Sequence, residues 1–469
     1  MMLSSKLFLA GFAGILGAMA LKAAGPLAGR PVPERKPNIV FILADDLGYG
    51  DLGCYGQKRI KTPNLDRLAA EGMRFRQHYA GSTVCAPSRA VLMTGRHTGH
   101  VSIRGNADVP LTTNELTVAQ VLKPKGYVTG CFGKWGLGLE TTTATPIQKG
   151  FDEWFGYLDQ THAHDYYPTQ LWRSSSIAGV GDMAKAIPSN ADGAKGAYSH
   201  DLFTMAAQNF IRLSQREPFF LYLAYTIPHA NNELKERGMQ VPSEEPYANE
   251  MWPTPEKAKA AMITRMDRDI GELLAQLTRL RLESNTVIFF TSDNGPHKEG
   301  GVDPEFFDSS GPLRGIKRDM YEGGIRVPMI VRWLGRVPAG STSDQVWTFW
   351  DFLPTAAEIA GATAPEGIDG ISMLPALLGR KQEKEHEFLY WEFHERGSRQ
   401  AVRMGNWKAI RQGPGQPLEL YDLKTDLGET NNVATFHPEV LGRVEAYLKT
   451  ARTESAQWPM REAKQAGKP

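Results

Sequence analysis

Ile39-Val40-Phe41-Ile42-Leu43-Ala44 runs without a polar break into Asp45-Asp46. A continuous apolar run of this length, rich in β-branched and aromatic residues, fits a strand covered on both faces. Three further segments share the design. Tyr127-Val128-Thr129-Gly130-Cys131-Phe132 leads into Gly133-Lys134-Trp135. Phe219-Phe220-Leu221-Tyr222-Leu223-Ala224-Tyr225 leads into Pro228-His229, and Val287-Ile288-Phe289-Phe290 into Asp293-Asn294-Gly295. Helical patterns alternate with these runs, over residues 64–71, 115–122, 199–213 and 255–282. In the last, Met262, Met266, Ile270, Leu273, Leu274, Leu277 and Leu280 form an apolar stripe of core-packing type. Alternating strands and helices predict an α/β fold with a large, mostly parallel sheet flanked by helices. Ligands in such folds sit beyond the carboxyl ends of the strands, so the polar clusters read as one site.

The texture changes near residue 361. Strand-like pieces at 387–391, 400–403, 407–410 and 418–422 predict a small antiparallel sheet, with a final helix over 437–452 packed on it. The expected division is a catalytic domain over 37–360 and a smaller C-terminal α+β subdomain over 361–469. At the other end, Lys6 precedes an apolar run over 7–21 and then Lys22-Ala23-Ala24-Gly25. This reads as a signal peptide over 1–24, followed by a Pro/Gly-rich linker over 25–36. The run is short for a membrane span, and no cysteine follows it to suggest a lipoprotein. Export to the periplasm or the medium is expected, with no stable membrane span after cleavage.

Charge excludes more than it assigns. Among 469 residues, 53 basic side chains face 52 acidic ones, for a net charge of +1. No basic block suggests nucleic acid and no acidic tail suggests disorder. Anion selectivity must come from local placement. Asp45, Asp46, Asp293 and Asn294 offer four oxygen side chains from two strand ends, a donor set that suits a hard divalent cation. No His/Cys cluster has structural zinc spacing.

The segment Cys85-Ala86-Pro87-Ser88-Arg89, continued by Leu92, Thr94, Gly95 and Arg96, carries the sharpest chemical signal. The pentapeptide alone also suits a loop-to-helix junction with Pro near the first turn and a small buried Cys. The full segment resembles the type I sulfatases of the alkaline phosphatase superfamily, with C-x-P-S-R followed by L-x-T-G-R. The whole chain is similar to secreted bacterial arylsulfatase-like and polysaccharide sulfatases. The resemblance implies that Cys85 is oxidised to formylglycine, whose hydrate is the nucleophile, and that a maturase performs this step. It implies Ca²⁺, with Mg²⁺ as the lesser choice, on Asp45, Asp46, Asp293, Asn294 and an oxygen of converted residue 85. It implies that Arg89 holds the hydrated aldehyde, and that Lys134 and Lys317 bind sulfate. Lys317 lies in Leu313-Arg314-Gly315-Ile316-Lys317, followed by Tyr321-Glu322-Gly323-Gly324-Ile325-Arg326-Val327-Pro328. His229, in Ile227-Pro228-His229, matches a general acid or sulfate ligand. The implied cycle attacks sulfur in line, releases the alcohol with a proton from His229 or Lys317, and re-forms the aldehyde as sulfate departs.

One position departs from the family. Many members have Gly-Lys-Trp-His-Leu-Gly where this chain has Gly133-Lys134-Trp135-Gly136-Leu137-Gly138. His97, His100, His162 and His164 are the candidates to replace the missing histidine. Two clusters, one carrying Arg104 and Asn106 and one running Gln160-Thr161-His162-Ala163-His164-Asp165-Tyr166-Tyr167, suit a sugar by stacking and hydroxyl recognition. Arg104, Asn106, His162 and His164 are therefore candidate substrate contacts, with a sulfated galactose or N-acetylgalactosamine as the expected substrate. A broad arylsulfatase, a phosphatase or phosphonate monoester hydrolase of the same superfamily, and an unconverted sulfated-glycan-binding protein are the other readings. Of the three cysteines, conversion of Cys85 would leave Cys54 and Cys131 as either a pair or two free thiols.

Overall fold

The computed structural model describes residues 35–395 and 397–462, so the expected signal peptide and all but two residues of the linker lie outside the described residues. In chain order the strands are β1 (Asn38–Ala44), β2 (Met73–Phe75), β3 (His78–Tyr79), β4 (Val128–Lys134), β5 (Glu153–Tyr157), β6 (Gln170–Ser175), β7 (Val180–Ala186), β8 (Phe219–Ala224), β9 (Thr286–Ser292), β10 (Met329–Arg332), β11 (Ser341–Ser343), β12 (Trp347–Thr348), β13 (Leu389–Phe393), β14 (Arg399–Met404), β15 (Trp407–Arg411) and β16 (Leu418–Asp422). Ten of them make one sheet in the order β11-β2-β10-β9-β1-β8-β4-β5-β6-β7. Its centre, β9-β1-β8-β4-β5, is parallel. Strands β10 and β6 join that centre antiparallel.

The four apolar runs form adjacent central strands because each must be covered twice. Ile39, Phe41 and Leu43 face a layer built from the helices Cys85–Thr94, Val118–Leu122 and Phe352–Ala360. Val40, Ile42 and Ala44 face the opposite layer of Pro63–Ala70, Ser199–Ser214 and Thr254–Arg279. Each fully buried aliphatic or aromatic side chain contributes about 1.5–3 kcal/mol. Ala44 pairs with Ser292, so Asp45 and Asp293 leave neighbouring strands at the same level.

Two helices differ from their expected bounds for local reasons. The one expected over 115–122 begins at Val118, because Thr117 and Gln120 close a capping box. Glu115 accepts from the Ser102 backbone N–H at 2.7 Å instead of joining the helix. The one expected over 255–282 ends at Arg279, and Arg281 turns out of the helix with a φ of 57°. The antiparallel flank β5-β6-β7 and the helix Phe352–Ala360 had no counterpart among the expected elements.

The four-stranded sheet β13-β14-β15-β16 is antiparallel. Leu389, Trp391, Phe393, Ala401, Ile410 and Tyr421 on one face join the same core as Phe41. Tyr390, Val402, Ala409 and Leu420 on the other face pack with Val440, Val444 and Leu448 of the helix Pro438–Leu448. Cys54, Cys85 and Cys131 are all free. Cys131 belongs to one core layer and Cys54 packs against the other, which keeps the two thiols apart. Among the described residues no helix is long and apolar enough to cross a membrane.

Candidate active site

Cys85 is the first residue of a helix whose ten residues are all buried. The side-chain oxygen of Asn106 accepts from the Ala86 backbone N–H at 3.0 Å, satisfying one free donor of the first turn. Pro87 suits that turn, and Gly95 ends the helix with a φ of 70°. The helix thereby presents the Cys85 thiol to the ends of β1 and β9, where it donates to Asp45 Oδ1 at 3.4 Å.

Around the thiol the structure gathers nine of the residues read from the sequence. Arg89 donates twice to Asp293 Oδ2, at 2.8 and 3.1 Å, and lies 3.3 Å from Asp45. Its third nitrogen donates to the Lys134 carbonyl at 2.9 Å. Lys134 Nζ meets Asp45 Oδ2 at 2.8 Å, and Lys317 Nζ meets Asp46 Oδ2 at 2.8 Å and His229 Nε2 at 3.0 Å. Asp46 takes a φ of 67°, and its backbone N–H donates to Asp293 Oδ1 at 3.1 Å. Asn294 Nδ2 donates to Asp46 Oδ1 at 2.7 Å. All nine side chains are buried.

The electrostatics identify a place for a cation. Burial, then the neighbouring Asp45, push Asp293 up to about 7, although Arg89 opposes this. Asp45, Asp46, Cys85 and His229 bring ligand atoms within 4.8 Å of one another, and the Asp293 carboxylate lies beside them, accepting from the Asp46 backbone N–H and from Arg89. Asn294 Oδ1 is buried with no hydrogen-bond partner. The three carboxylates are balanced by Arg89, Lys134 and Lys317, so it is the oxygen donors of Asp45, Asp46 and Asp293 together with the orphaned Asn294 carbonyl that fit a hard divalent cation.

The Cys85 thiol is pushed up by burial, then by Asp45, so it stays protonated and is a poor nucleophile as it stands. Burial, then Lys317, hold His229 well down. Its Nδ1 lies 2.6 Å from the Ala230 carbonyl and must carry the hydrogen, which leaves Nε2 to accept from the Lys317 ammonium. Burial opposes the charge on Lys317, but Asp46 and further acidic neighbours raise it well above an ordinary lysine.

The substrate candidates separate. Arg104 is buried and belongs to the scaffold: it pairs with Glu392 at 2.9 Å and donates to the Thr453 carbonyl and hydroxyl. That corrects its reading as a substrate contact. Asn106 lies beside Cys85 but is engaged by the helix. His164 stacks on His229, with ring centroids 4.8 Å apart, and pairs with Glu233 at 3.1 Å. His162 packs edge-on against Tyr157. His97 and His100 lie beyond the far end of the Cys85 helix, ~14 Å of helical rise away, where they bracket Asp369. Of the four histidines proposed for the missing one, His164 is the one in ring contact with the gathered residues. At Gly136 an added Cβ would lie 2.0 Å from Gln160 Nε2, so the Gln160 amide covers that position.

Two neighbours of Lys317 escaped the sequence reading. Glu299 reaches Lys317 Nζ at 3.2 Å and Arg318 at 2.7 Å. Burial would raise its carboxyl, but Lys317 and further cations hold it down at about 2. Both residues sit in irregular segments; their one signal was proximity in sequence to Asp293 and Lys317.

Residues 37–362 match the family described as Sulfatase, and residues 316–454 match N-sulphoglucosamine sulphohydrolase, C-terminal. The chain is 34% identical over 465 residues to N-acetylgalactosamine-6-sulfatase of Canis lupus familiaris, across 91% of this chain and 83% of the relative. It is 34% identical to arylsulfatase A of Homo sapiens, across 89% of this chain and 87% of the relative. The solved structure of Ps i-CgsB in complex with k-i-k-neocarrahexaose superposes with a TM-score of 0.76 at 31% identity, covering 92% of this chain and 96% of that one.

Proposed function

The chain belongs to the sulfatase family and is a sulfuric ester hydrolase; from that premise we propose that it desulfates a galactose- or N-acetylgalactosamine-type sugar, using formylglycine made from Cys85. The observation that carries the reading is the placement of the buried Cys85 side chain 3.4 Å from Asp45, inside a ring of Arg89, Lys134, His229 and Lys317. The three cations Arg89, Lys134 and Lys317 serve an anion better than a thiol. The sugar class is supported by a relative named N-acetylgalactosamine-6-sulfatase and a solved neighbour complexed with a neocarrahexaose.

In this reading Asp45, Asp46, Asp293, Asn294 and an oxygen of converted residue 85 hold Ca²⁺, with Mg²⁺ the smaller alternative. When bound, the ion polarises a sulfate oxygen and favours the ionised form of the attacking hydroxyl. Arg89 fixes the hydrated side chain at position 85 and Lys134 binds a sulfate oxygen. Lys317 contacts the bridging oxygen and supplies the proton to the departing alcohol, because its Nζ carries one while His229 Nε2 is an acceptor. His229 orients that ammonium, and His164, stacked on it, lines the sugar side with His162. Export, maturation by a formylglycine-generating enzyme, and the division at residues 360 and 361 belong to the same proposal.

The test is sulfate release from 6-sulfated N-acetylgalactosamine and from sulfated galactan oligosaccharides, run beside matched phosphate esters. The reading requires at least one sulfated sugar to exceed its phosphate counterpart and 4-nitrophenyl sulfate in kcat/KM. Preference for the phosphate ester would assign the site to phosphatase chemistry, and preference for the aryl ester to a broad arylsulfatase. Binding of the sulfated glycans with no turnover by converted protein would leave a glycan-binding protein.

A further inference from the structure

The Lys317 ammonium has three partners, one for each of its hydrogens. Asp46 Oδ2 lies at 2.8 Å, His229 Nε2 at 3.0 Å and Glu299 Oε2 at 3.2 Å. Asp46 belongs to the set that fits a cation, and His229 is a neutral ring. Of the three, Glu299 is the carboxylate outside the cation set, and it is shared between Lys317 and Arg318. A lysine side chain is a flexible four-carbon stem, so the direction of its Nζ is set by the groups that hold it.

Glu299 is itself held from two sides. Its backbone N–H donates to His297 Nδ1 at 3.0 Å, and His297 Nε2 donates to the Pro228 carbonyl at 3.0 Å, next to His229. Its second carboxylate oxygen takes a 2.7 Å hydrogen bond from Arg318 Nη1. Arg318 Nε in turn donates to Glu395 Oε2 at 2.9 Å. Glu395 lies just past β13, and Arg399, the first residue of β14, donates to the Arg318 carbonyl at 3.2 Å. The Arg318 backbone N–H donates to the Thr83 carbonyl at 3.0 Å, two residues before Cys85. A chain of charge-assisted contacts therefore runs from Lys317 through Glu299 and Arg318 to the C-terminal sheet.

We propose that Glu299 is the positioning residue for Lys317, and that the C-terminal sheet takes part in the reaction by fixing Glu299 through Arg318 and Glu395. The proposal rests on the reading of Lys317 as the proton donor. As the sulfur–oxygen bond to the alcohol breaks, its electron pair goes to the alcohol oxygen, which must meet the Lys317 proton at that moment. An ammonium swung away by the loss of Glu299 would leave substrate binding largely intact and slow the bond-breaking step.

The test uses full-length, converted enzyme, the sulfated sugar that turns over in the screen above, and the variants Glu299→Gln, Glu299→Asp, Glu395→Gln, Lys317→Ala and the Lys317→Ala/Glu299→Gln double variant. Glu299→Gln should lower kcat by ~100-fold, within the range that a positioned general acid contributes, with KM, melting temperature and Ca²⁺ affinity near wild type. Glu299→Asp should recover part of the loss, and Glu395→Gln should cost ~5-fold in kcat. In the Lys317→Ala background, Glu299→Gln should have no further effect, because one residue acts through the other. Full additivity in the double variant, or an unchanged kcat in Glu299→Gln, overturns the proposal. A Lys317→Ala variant that keeps kcat would sink the proton-donor reading itself. A loss in Lys317→Ala without one in Glu299→Gln sinks this inference alone.

Discussion

At Asp46 the backbone adopts a φ of 67°, a left-handed conformation that Asp tolerates better than most residues. That turn directs its carboxylate toward Lys317 and Asn294 rather than along the strand. Asp46→Asn preserves the backbone preference and removes the charge. It should melt within a few degrees of wild type yet bind Ca²⁺ ~10–100-fold more weakly by calorimetry. Equal Ca²⁺ affinity would remove Asp46 from the ligand set. Asp45, Asp46, Lys134, His229, Asp293 and Asn294 were legible because each follows an apolar run, and Cys85, Arg89 and Lys317 because each sits in a motif. Glu299 and Arg318 were not, since irregular segments carry no periodicity that fixes where a side chain ends up. Arg104 was misread because its partner Glu392 lies 288 positions away, beyond what local polarity reveals.

In the elements, two close fits carry consequences. Gly133 in β4 has a φ of 110°, and an added Cβ would come within 1.9 Å of the Ala224 carbonyl oxygen in β8. Both obstacles are backbone, so Gly133→Ala should destabilise the fold by roughly 3 kcal/mol or more in denaturant titration. A loss below about 1 kcal/mol would mean that the two strands separate easily. In β13, burial alone would raise Glu392, but His394, Arg104 and Arg452 hold it down at about 2. A carboxyl depressed on folding contributes stability that is present above its unfolded value of ~4.3 and is lost as pH falls toward 2. Glu392→Gln should therefore cost about 3 kcal/mol near neutrality, with the gap from wild type closing between about pH 4 and pH 2. A gap independent of pH would mean that Glu392 acts through packing alone. The central strands were readable from unbroken apolar runs, whereas β7 is an exposed edge strand whose run is broken by Gly181, Asp182 and Lys185 and gives no such signal.

Across the whole molecule, the C-terminal sheet shares a continuous core with the central sheet, since Trp391 and Ile410 lie in the same cluster as Phe41 and Phe289. A change in texture near residue 361 was legible, but the shared core was not, because contacts across hundreds of residues leave no local pattern. Full-length protein should unfold in one calorimetric transition, and residues 37–360 expressed alone should fail to fold cooperatively. Two separate transitions would contradict the shared core. The same architecture sets Cys85 where an unmodified thiol stays protonated and unreactive. The central claim is therefore that the working side chain at position 85 is no longer cysteine. It is tested most directly by the mass of the tryptic peptide spanning residues 77–89, taken from a preparation that releases sulfate. A loss of about 18 Da relative to the thiol, the replacement of CH₂SH by CHO, is the expected result. An intact cysteine throughout a fully active preparation would contradict it.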